Sequence, residues 1–241
     1  MAAIRVEGLS KRYGPVTAVA GISFTVAAGE IVALLGANGA GKTTTLAMLL
    51  GLVSPSAGRI EILGHDMARD RFAALARMNF ASPYIALPAR LSVAENLRVY
   101  GHLYGVAGLE RRIRELAGEL DLLAFLDRPA GTLSAGQKTR LALAKALINR
   151  PAVLLLDEPT ASLDPDTADR LRAWLAAYRT ASGCAILLAS HNMAEVERLS
   201  DQVLMLRQGA IVARGSPAAL CGQFGRDTLE AVFLAIARAT W

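Results

Sequence analysis

The chain has 241 residues, 53% of them hydrophobic, and its 26 Lys and Arg exceed its 21 Asp and Glu to give a net charge of +5. This length is enough for a full hydrophobic core, either in one large domain or in a core with a subdomain. Every apolar run is far shorter than the roughly 18 residues that span a bilayer, so we expect no membrane-spanning helix.

Compartment and partners are constrained by the N-terminus, the cysteines and the basic residues. The N-terminal segment MAAIRVEGLSKRYG is charged and has no apolar signal region, so we expect a cytoplasmic protein. Cys184 and Cys221 lack the spacing of a disulfide framework or a zinc site. The basic clusters at 69–71 and 110–114 stand among acidic residues without interleaved aromatics, which favours a solvated helix face over a nucleic-acid surface. Contact with anionic lipid head groups is the alternative.

The first third of the chain alternates strands and helices. Residues 4–28 alternate in polarity and predict antiparallel strands with tight turns. Residues 30–35 form a continuous apolar run typical of a buried strand. Residues 44–50 begin an apolar helix, 54–64 predict a strand, and 66–80 predict a helix.

The remainder begins with a long helical block. Residues 82–150 show helical periodicity with no strand signal after their opening proline-punctuated loop. Two further apolar runs, at 152–156 and 184–189, predict central strands of a parallel sheet, which are buried on both faces. Residues 204–217 predict a hairpin, and 227–238 an amphipathic helix.

These elements predict an α/β fold in three parts. Residues 1–81 and 151–219 form an α/β core with an N-terminal antiparallel β subdomain, 82–150 form an inserted α-helical subdomain, and 220–241 form a C-terminal helix.

The sequence GANGAGKTT at 36–44 fits the phosphate-binding loop G-x-x-x-x-G-K-[ST] at each fixed position, between a predicted strand and a predicted helix. Glycines allow backbone N–H groups to converge on phosphate oxygens, and the helix N-terminus adds partial positive charge. Lys42 is expected to bind the β- and γ-phosphates, and Thr43 to offer a hydroxyl to Mg²⁺. The predicted nucleotide contacts of this loop are Gly36, Asn38, Gly39, Ala40, Gly41, Lys42, Thr43 and Thr44.

Two carboxylates and a histidine follow the other predicted central strands. Asp157 and Glu158 end the run AVLLLDEP, at the sheet edge where open α/β sheets bind ligands. Since adjacent strand residues point to opposite sides, we expect Asp157 to hold Mg²⁺ and Glu158 to polarise the attacking water. His191 follows the next strand, where it is positioned to donate to a γ-phosphate or to orient water.

Two segments are ambiguous from their chemistry alone. Ser134 in LSAGQ is a suitable N-cap for a helix, which makes its helix start only a weak second phosphate site. Tyr13 precedes the phosphate loop, and stacking on a purine is no more favoured there than an ordinary half-exposed tyrosine.

Together, GANGAGKTT, LSAGQ, LLLDEP, SLD and SHN have the order and spacing found in the ATP-binding subunits of ABC transporters, and the resemblance covers residues 2–217. It implies a P-loop NTPase (RecA-like) core, ATP and Mg²⁺ as cofactors, a head-to-tail dimer with a second copy or a homologous ATPase, and an integral-membrane permease partner on the inner face of the cell membrane. It further implies adenine stacking by Tyr13, γ-phosphate sensing by His191 and, for Ser134, Gly136 and Gln137, contact with the ATP held by the other subunit.

The sequence departs from the family pattern at two positions. The family usually has a glutamine about 40 residues after the phosphate-loop lysine, whereas Ser82 stands at that spacing here; its hydroxyl is a shorter candidate ligand for Mg²⁺ or water. Ala135 replaces the usual glycine of the LSAGQ segment, and its methyl group is expected to reduce phosphate affinity.

The tail DTLEAVFLAIAR at 227–238 resembles the short LEDVFL-type helix of ATPases that drive two-component exporters of drugs, lipids or polysaccharides. We therefore expect an ATPase that powers export. The alternatives are an importer ATPase, which more often carries a longer regulatory domain, an ABC-type ATPase unconnected with transport, and a regulator that binds but does not hydrolyse ATP.

Overall fold

The computed structural model describes residues 2–238. Outside this part lie residue 1, in the predicted N-terminal β subdomain, and residues 239–241, in the predicted C-terminal helix. The strands are β1 (Ala2–Tyr13), β2 (Val16–Ala27), β3 (Ile31–Leu35), β4 (Ala57–Ile62), β5 (His65–Asp66), β6 (Met78–Ala81), β7 (Val153–Asp157), β8 (Ala185–Ser190), β9 (Gln202–Arg207) and β10 (Ala210–Gly215). The α-helices are α1 (Lys42–Leu49), α2 (Arg71–Leu75), α3 (Val93–Leu103), α4 (Leu109–Glu119), α5 (Ala135–Leu147), α6 (Pro165–Ser182), α7 (Met193–Leu199), α8 (Pro217–Phe224) and α9 (Leu229–Arg238). Short 3₁₀ turns lie at Leu123–Phe125 and Ala130–Thr132.

The strands form two sheets, which confirms the predicted α/β fold. A four-stranded antiparallel sheet has the order β2-β1-β4-β5, and a six-stranded sheet has the order β10-β9-β3-β8-β7-β6. In the larger sheet all neighbours are parallel except the antiparallel hairpin of β9 and β10. The carboxyl ends of β3, β6, β7 and β8 therefore meet at one edge, where ligands bind in open α/β sheets.

The apolar runs of the sequence occupy the centre of the larger sheet. All residues of β3 and β8 are buried, as expected for parallel strands covered on both faces. One cluster packs α1 and the antiparallel sheet on one face, and a second packs the long helices on the other face. The strands that carry the site residues are thus held rigidly between two cores.

Between β6 and β7 the described chain is helical apart from its connecting segments and one isolated β-bridge between Ser92 and Pro129, in agreement with the predicted helical block. Both α3 and α5 begin with complete capping boxes, in which Ser92 pairs with Glu95 and Ser134 with Gln137. The division into domains stays a prediction. No helix within residues 2–238 combines the length and apolar character required to cross a membrane.

The helix predicted over 66–80 is wrong for most of its length. The chain there contains part of β5, the short helix α2 and the edge strand β6, which pairs with β7 in parallel register. The four-residue segment MNFA is too short to show a strand period, so its pairing with β7 decides its structure. The turn SLDP predicts a helix only as far as Leu175, whereas α6 continues to Ser182, where Gly183 ends it. The helix α8, which follows β10, precedes the predicted amphipathic helix.

Candidate functional site

The sheet edge brings together four of the predicted segments. Leu35, which ends β3 before the phosphate loop, pairs with Ser190 at the end of β8. Asp157 at the end of β7 pairs with Ala189 of β8. Ala81 pairs with Leu156, so Ser82 follows β6 at the level of Asp157. The phosphate loop, the two carboxylates, Ser82 and His191 therefore share one edge of the sheet.

The backbone of the phosphate loop requires glycine at two positions. A Cβ atom at Gly36 would lie 2.6 Å from the carbonyl oxygen of Leu206, and one at Gly41 would lie 2.6 Å from that of Ala18. Gly41 also has a φ of 108°, which L side chains rarely adopt. As N-cap of α1, Gly41 leaves the first helical N–H groups without a side-chain cap. These N–H groups are available to an anion, and residues 37–39 are exposed beside them.

We expect Gly36→Ala to lower ATP affinity at least about tenfold, because the added methyl group forces the loop away from Leu206. Nucleotide binding by the purified chain, followed by fluorescence or calorimetry, measures the effect. Gly222→Ala on α8 is the matched control, since its added methyl group meets nothing within 4 Å. Equal affinity in both variants would contradict the close-approach role of Gly36.

Lys42 lies between the phosphate loop and the two carboxylates. The residue is buried, and its Nζ atom donates to the carbonyl oxygens of Gly36, at 2.6 Å, and Ala37, at 3.3 Å. Burial lowers the pKa of Lys42, and the charges of Glu158 and Asp157 oppose this shift. Burial and the charge of Glu158 raise the pKa of Asp157, against the effect of Lys42. The ammonium group of Lys42 therefore lies close to the carboxylates of Asp157 and Glu158, next to the loop predicted to bind polyphosphate.

The side chain of Glu158 is buried and is held by the end of β8. One carboxylate oxygen accepts from the backbone N–H of His191 at 3.0 Å and lies 2.5 Å from its Nδ1 atom, and the other lies 3.2 Å from Ser190 Oγ. The ring of His191 is 60% exposed, so the histidine links the buried acid to the open edge.

We expected the side chains of Asp157 and Glu158 to point to opposite sides because both would lie on one strand, and this expectation is wrong. The strand ends at Asp157, and Glu158 has a left-handed φ of 51°, a conformation costly for a residue with a Cβ atom. The turn is stabilised by the Glu158 N–H, which donates to the carbonyl oxygen of Ala189 at 2.8 Å. Strain stored at this position points to a functional constraint.

The candidate Mg²⁺ ligands supply oxygen atoms of the type that this cation prefers. Thr43 is exposed beside Lys42, and Asp157 is half-buried. Ser82 is buried, and its hydroxyl accepts from the N–H of Tyr84 at 3.3 Å. The donor set fits a cation that is completed by phosphate oxygens and water.

Tyr13 ends β1 with 49% of its surface exposed. The ammonium group of Lys11 lies 5.0 Å from the ring centroid, in a cation–π contact. An exposed ring beside a cation suits stacking on a base, but this role stays a prediction.

The LSAGQ segment makes its hydrogen bonds away from the phosphate loop. Ser134 Oγ accepts from the N–H of Gln137, whose side-chain oxygen accepts from the N–H of Ser134. The half-exposed Gly136 packs closely on Leu163, since a Cβ atom there would lie 3.2 Å from that side chain. Among residues 2–238, no hydrogen bond given by the structure joins 134–137 to 36–44. The exposed hydroxyl of Ser134 keeps its proton for an external acceptor.

Sequence reasoning missed a buried acid behind Glu158. Glu195 of α7 is fully buried, and its two carboxyl oxygens lie 2.7 Å from Thr160 Oγ1 and 2.6 Å from Ser190 Oγ. The sequence carries no local signal of this burial, because His191 precedes α7 and the hydrogen-bond partners of Glu195 lie outside the helix.

Comparison with known proteins decides the family. Residues 19–161 match the ABC transporter family. The chain belongs to this family. It is 41% identical over 236 residues to the Nod factor export ATP-binding protein I of Paraburkholderia xenovorans, covering 95% of this chain and 76% of that protein. The protein of the same name from Rhizobium johnstonii is 43% identical over 237 residues, covering 95% of this chain and 74% of that protein.

Two solved structures share the fold. The structure described as the ATP-binding subunit of an ABC transporter has a TM-score of 0.90 at 29% identity, over 98% of this chain and 100% of that one. The dimeric ATP-binding cassette MJ0796, in a post-hydrolysis state with ADP and Pi, has a TM-score of 0.81 at 22% identity, over 88% and 98% of the two chains. The protein is therefore an ATP-binding, ATP-hydrolysing subunit of the ABC transporter family, and the predicted P-loop core is confirmed.

Proposed function

We propose that this ABC ATPase powers the export of a substrate through a partner permease, on the cytoplasmic face of the cell membrane. The similarity to export ATPases carries the proposal, because it covers 95% of the chain at 41–43% identity. The sequence of the terminal helix α9 supports it through its resemblance to the LEDVFL-type helix of exporter ATPases, and Leu229, Val232 and Ile236 pack this helix onto the ATPase core. Co-purification with a polytopic membrane protein tests the assignment, and failure to find such a partner would favour an ATPase unconnected with transport.

Hydrolysis is assigned to the sheet edge built by β3, β7 and β8. The loop N–H groups and Lys42 bind the phosphates and neutralise charge that develops on the γ-phosphoryl group. Thr43 and Asp157 hold Mg²⁺, with Ser82 as a candidate third position. When bound, Mg²⁺ supplies further neutralisation of the β- and γ-phosphate charge.

Glu158 is assigned as the base that orients and polarises water. Its carboxylate adjoins the histidine that reaches the open edge, so His191 is placed to contact the γ-phosphate while it steadies the base. Asp157 and Glu158 lie next to the ammonium group of the buried Lys42, so the charge on the bound phosphates determines the net electrostatic energy of the site. The roles of Lys42, Glu158 and His191 are thus assigned from their charge and from the hydrogen bonds that each can make.

The second half of each ATP site is assigned to the LSAGQ segment of another subunit. Ser134 presents a free hydroxyl proton and the start of the 13-residue helix α5, both suited to phosphate oxygens. Since this segment is unconnected with the phosphate loop of its own chain, we infer a head-to-tail dimer in which each subunit completes the other's site. The dimeric state of MJ0796, a protein of the same fold, is consistent with this arrangement.

The permease contact is assigned to the exposed apolar side chains of residues 72–104, the stretch of chain that includes α2 and α3. Six of the twelve exposed large apolar side chains of the described chain fall between positions 72 and 104. Phe72 is 73% exposed, and Tyr84, two residues after Ser82, is 75% exposed. Large apolar side chains exposed to solvent are candidates for a protein-binding surface, so we place the permease contact on this stretch.

We expect Phe72→Ser combined with Tyr84→Ser to abolish co-purification with the permease while the isolated subunit keeps its ATPase rate within about twofold. Affinity purification of the coexpressed complex and phosphate release by the subunit are the two measurements. Val16→Ser, at an exposed position of β2, is the control and should retain the partner. Retention of the permease by the double variant would move the contact elsewhere.

A further inference from the structure

The fully buried acid Glu195 has no place in the proposed chemistry. It lies on α7, one turn after the N-cap Asn192, and none of its surface is exposed. A buried carboxyl group is costly unless its oxygens are hydrogen-bonded. Both are: Thr160 Oγ1 lies 2.7 Å from one oxygen, and Ser190 Oγ lies 2.6 Å from the other.

The hydroxyl of Ser190 connects this acid to the proposed base. It lies 3.2 Å from a carboxylate oxygen of Glu158 as well as 2.6 Å from Glu195, and it accepts from the N–H of Asn192 at 3.0 Å. A hydroxyl carries one proton, so it can donate to only one of the two acids at a time. Every partner is satisfied when Glu195 donates to Ser190, which accepts a second bond from Asn192 and donates to Glu158.

The surroundings favour that arrangement of protons. Burial raises the pKa of Glu195, and the charge of Glu158 acts in the same direction. The hydrogen bonds with Ser190 and Thr160 and the charge of Arg172 oppose the shift. Two adjacent buried acids avoid repulsion when one of them retains a proton.

We propose that Glu195 is a positioning residue for ATP hydrolysis, which acts through Ser190 to hold the carboxylate of Glu158 in its reactive orientation. The contacts act on opposite sides of the base: His191 holds one oxygen of Glu158, and the chain from Glu195 through Ser190 holds the other. Thr160, two residues beyond Glu158, is hydrogen-bonded to Glu195 as well, so the same acid also holds the turn that carries the base. The inference rests on the proposed role of Glu158 as base.

The experiment compares ATP turnover of Glu195→Gln, Glu195→Ala and Ser190→Ala in the full chain. Glutamine donates through its amide to Ser190 and accepts from Thr160, so Glu195→Gln should keep kcat within about twofold. Glu195→Ala and Ser190→Ala should each lower kcat about tenfold with little change in KM for ATP, because the base is misplaced while the phosphate contacts remain. Glu197→Ala, at an exposed position of the same helix, is the control for helix stability.

A second comparison separates positioning from folding. In a Glu158→Gln background, Glu195→Ala should cause no further loss of kcat, since the group it positions is already gone. A wild-type kcat for the folded fraction of Glu195→Ala or for Ser190→Ala would overturn the inference, as would equal loss in Glu195→Gln and Glu195→Ala. Near wild-type turnover in Glu158→Gln alone would instead overturn the proposed base.

Discussion

Glu158→Gln should bind ATP at least as tightly as the wild-type chain and hydrolyse it about 10²-fold or more slowly. Glutamine has nearly the same shape, and its oxygen still accepts from the N–H of His191 as the carboxylate does at 3.0 Å. The loss is therefore one of charge and basicity, with the turn after β7 preserved. Removing a negative charge from the neighbourhood of Lys42 also favours the binding of a polyanion.

The measurements are single-turnover phosphate release and equilibrium ATP binding on the same preparations. Glu197→Gln, an identical change at an exposed position of α7, should leave both unchanged. If Glu158→Gln turned over at close to the wild-type rate, the base would have to be sought elsewhere at the sheet edge. If instead ATP binding collapsed, the left-handed turn at Glu158 would be the feature that the substitution disturbs.

The geometry of the phosphate loop was predictable because its chemistry is local. Gly36 and Gly41 are required by close backbone approach, and Lys42 and Thr43 follow at a spacing that leaves little freedom. The central strands were equally predictable, since a short run of buried apolar residues between turn signals has few other structures open to it. The end of the second of those strands then predicted the place of Asp157, which is the last residue of β7.

Features that depend on tertiary contacts were not predictable from the sequence. The edge strand β6 is recognised only by its pairing with β7, and the segment MNFA has no period of its own. Glu158 was expected to follow strand alternation, whereas its hydrogen bonds to β8 hold it in a left-handed turn. Glu195 resembled any acid on an amphipathic helix, because its burial depends on tertiary contacts with Ser190 at the end of β8 and with Thr160 in the turn after β7.

A mixed dimer is expected to recover activity that neither of its parent variants has. Lys42→Ala removes the phosphate-binding cation, and Ser134→Arg places a bulky side chain at the N-cap of α5, so each homodimer should lose hydrolysis by about 10²-fold or more. In a head-to-tail pair of one Ser134→Arg and one Lys42→Ala subunit, both defects fall in the same site. The other site then combines an unaltered loop with an unaltered LSAGQ segment.

The expected recovery follows from counting sites. Random association of equal amounts of the two variants gives heterodimers as about half of all dimers, and one intact site in each leaves about a quarter of all sites functional. ATP turnover after mixing measures this fraction, with each variant alone as the control. If LSAGQ served the phosphate loop of its own chain, every site in the mixture would carry one defect and no activity would return. Recovery of about a quarter therefore assigns Ser134 to the partner's ATP, whereas the absence of recovery assigns it to the ATP of its own chain. Unchanged hydrolysis by Ser134→Arg alone would show that Ser134 contacts no phosphate.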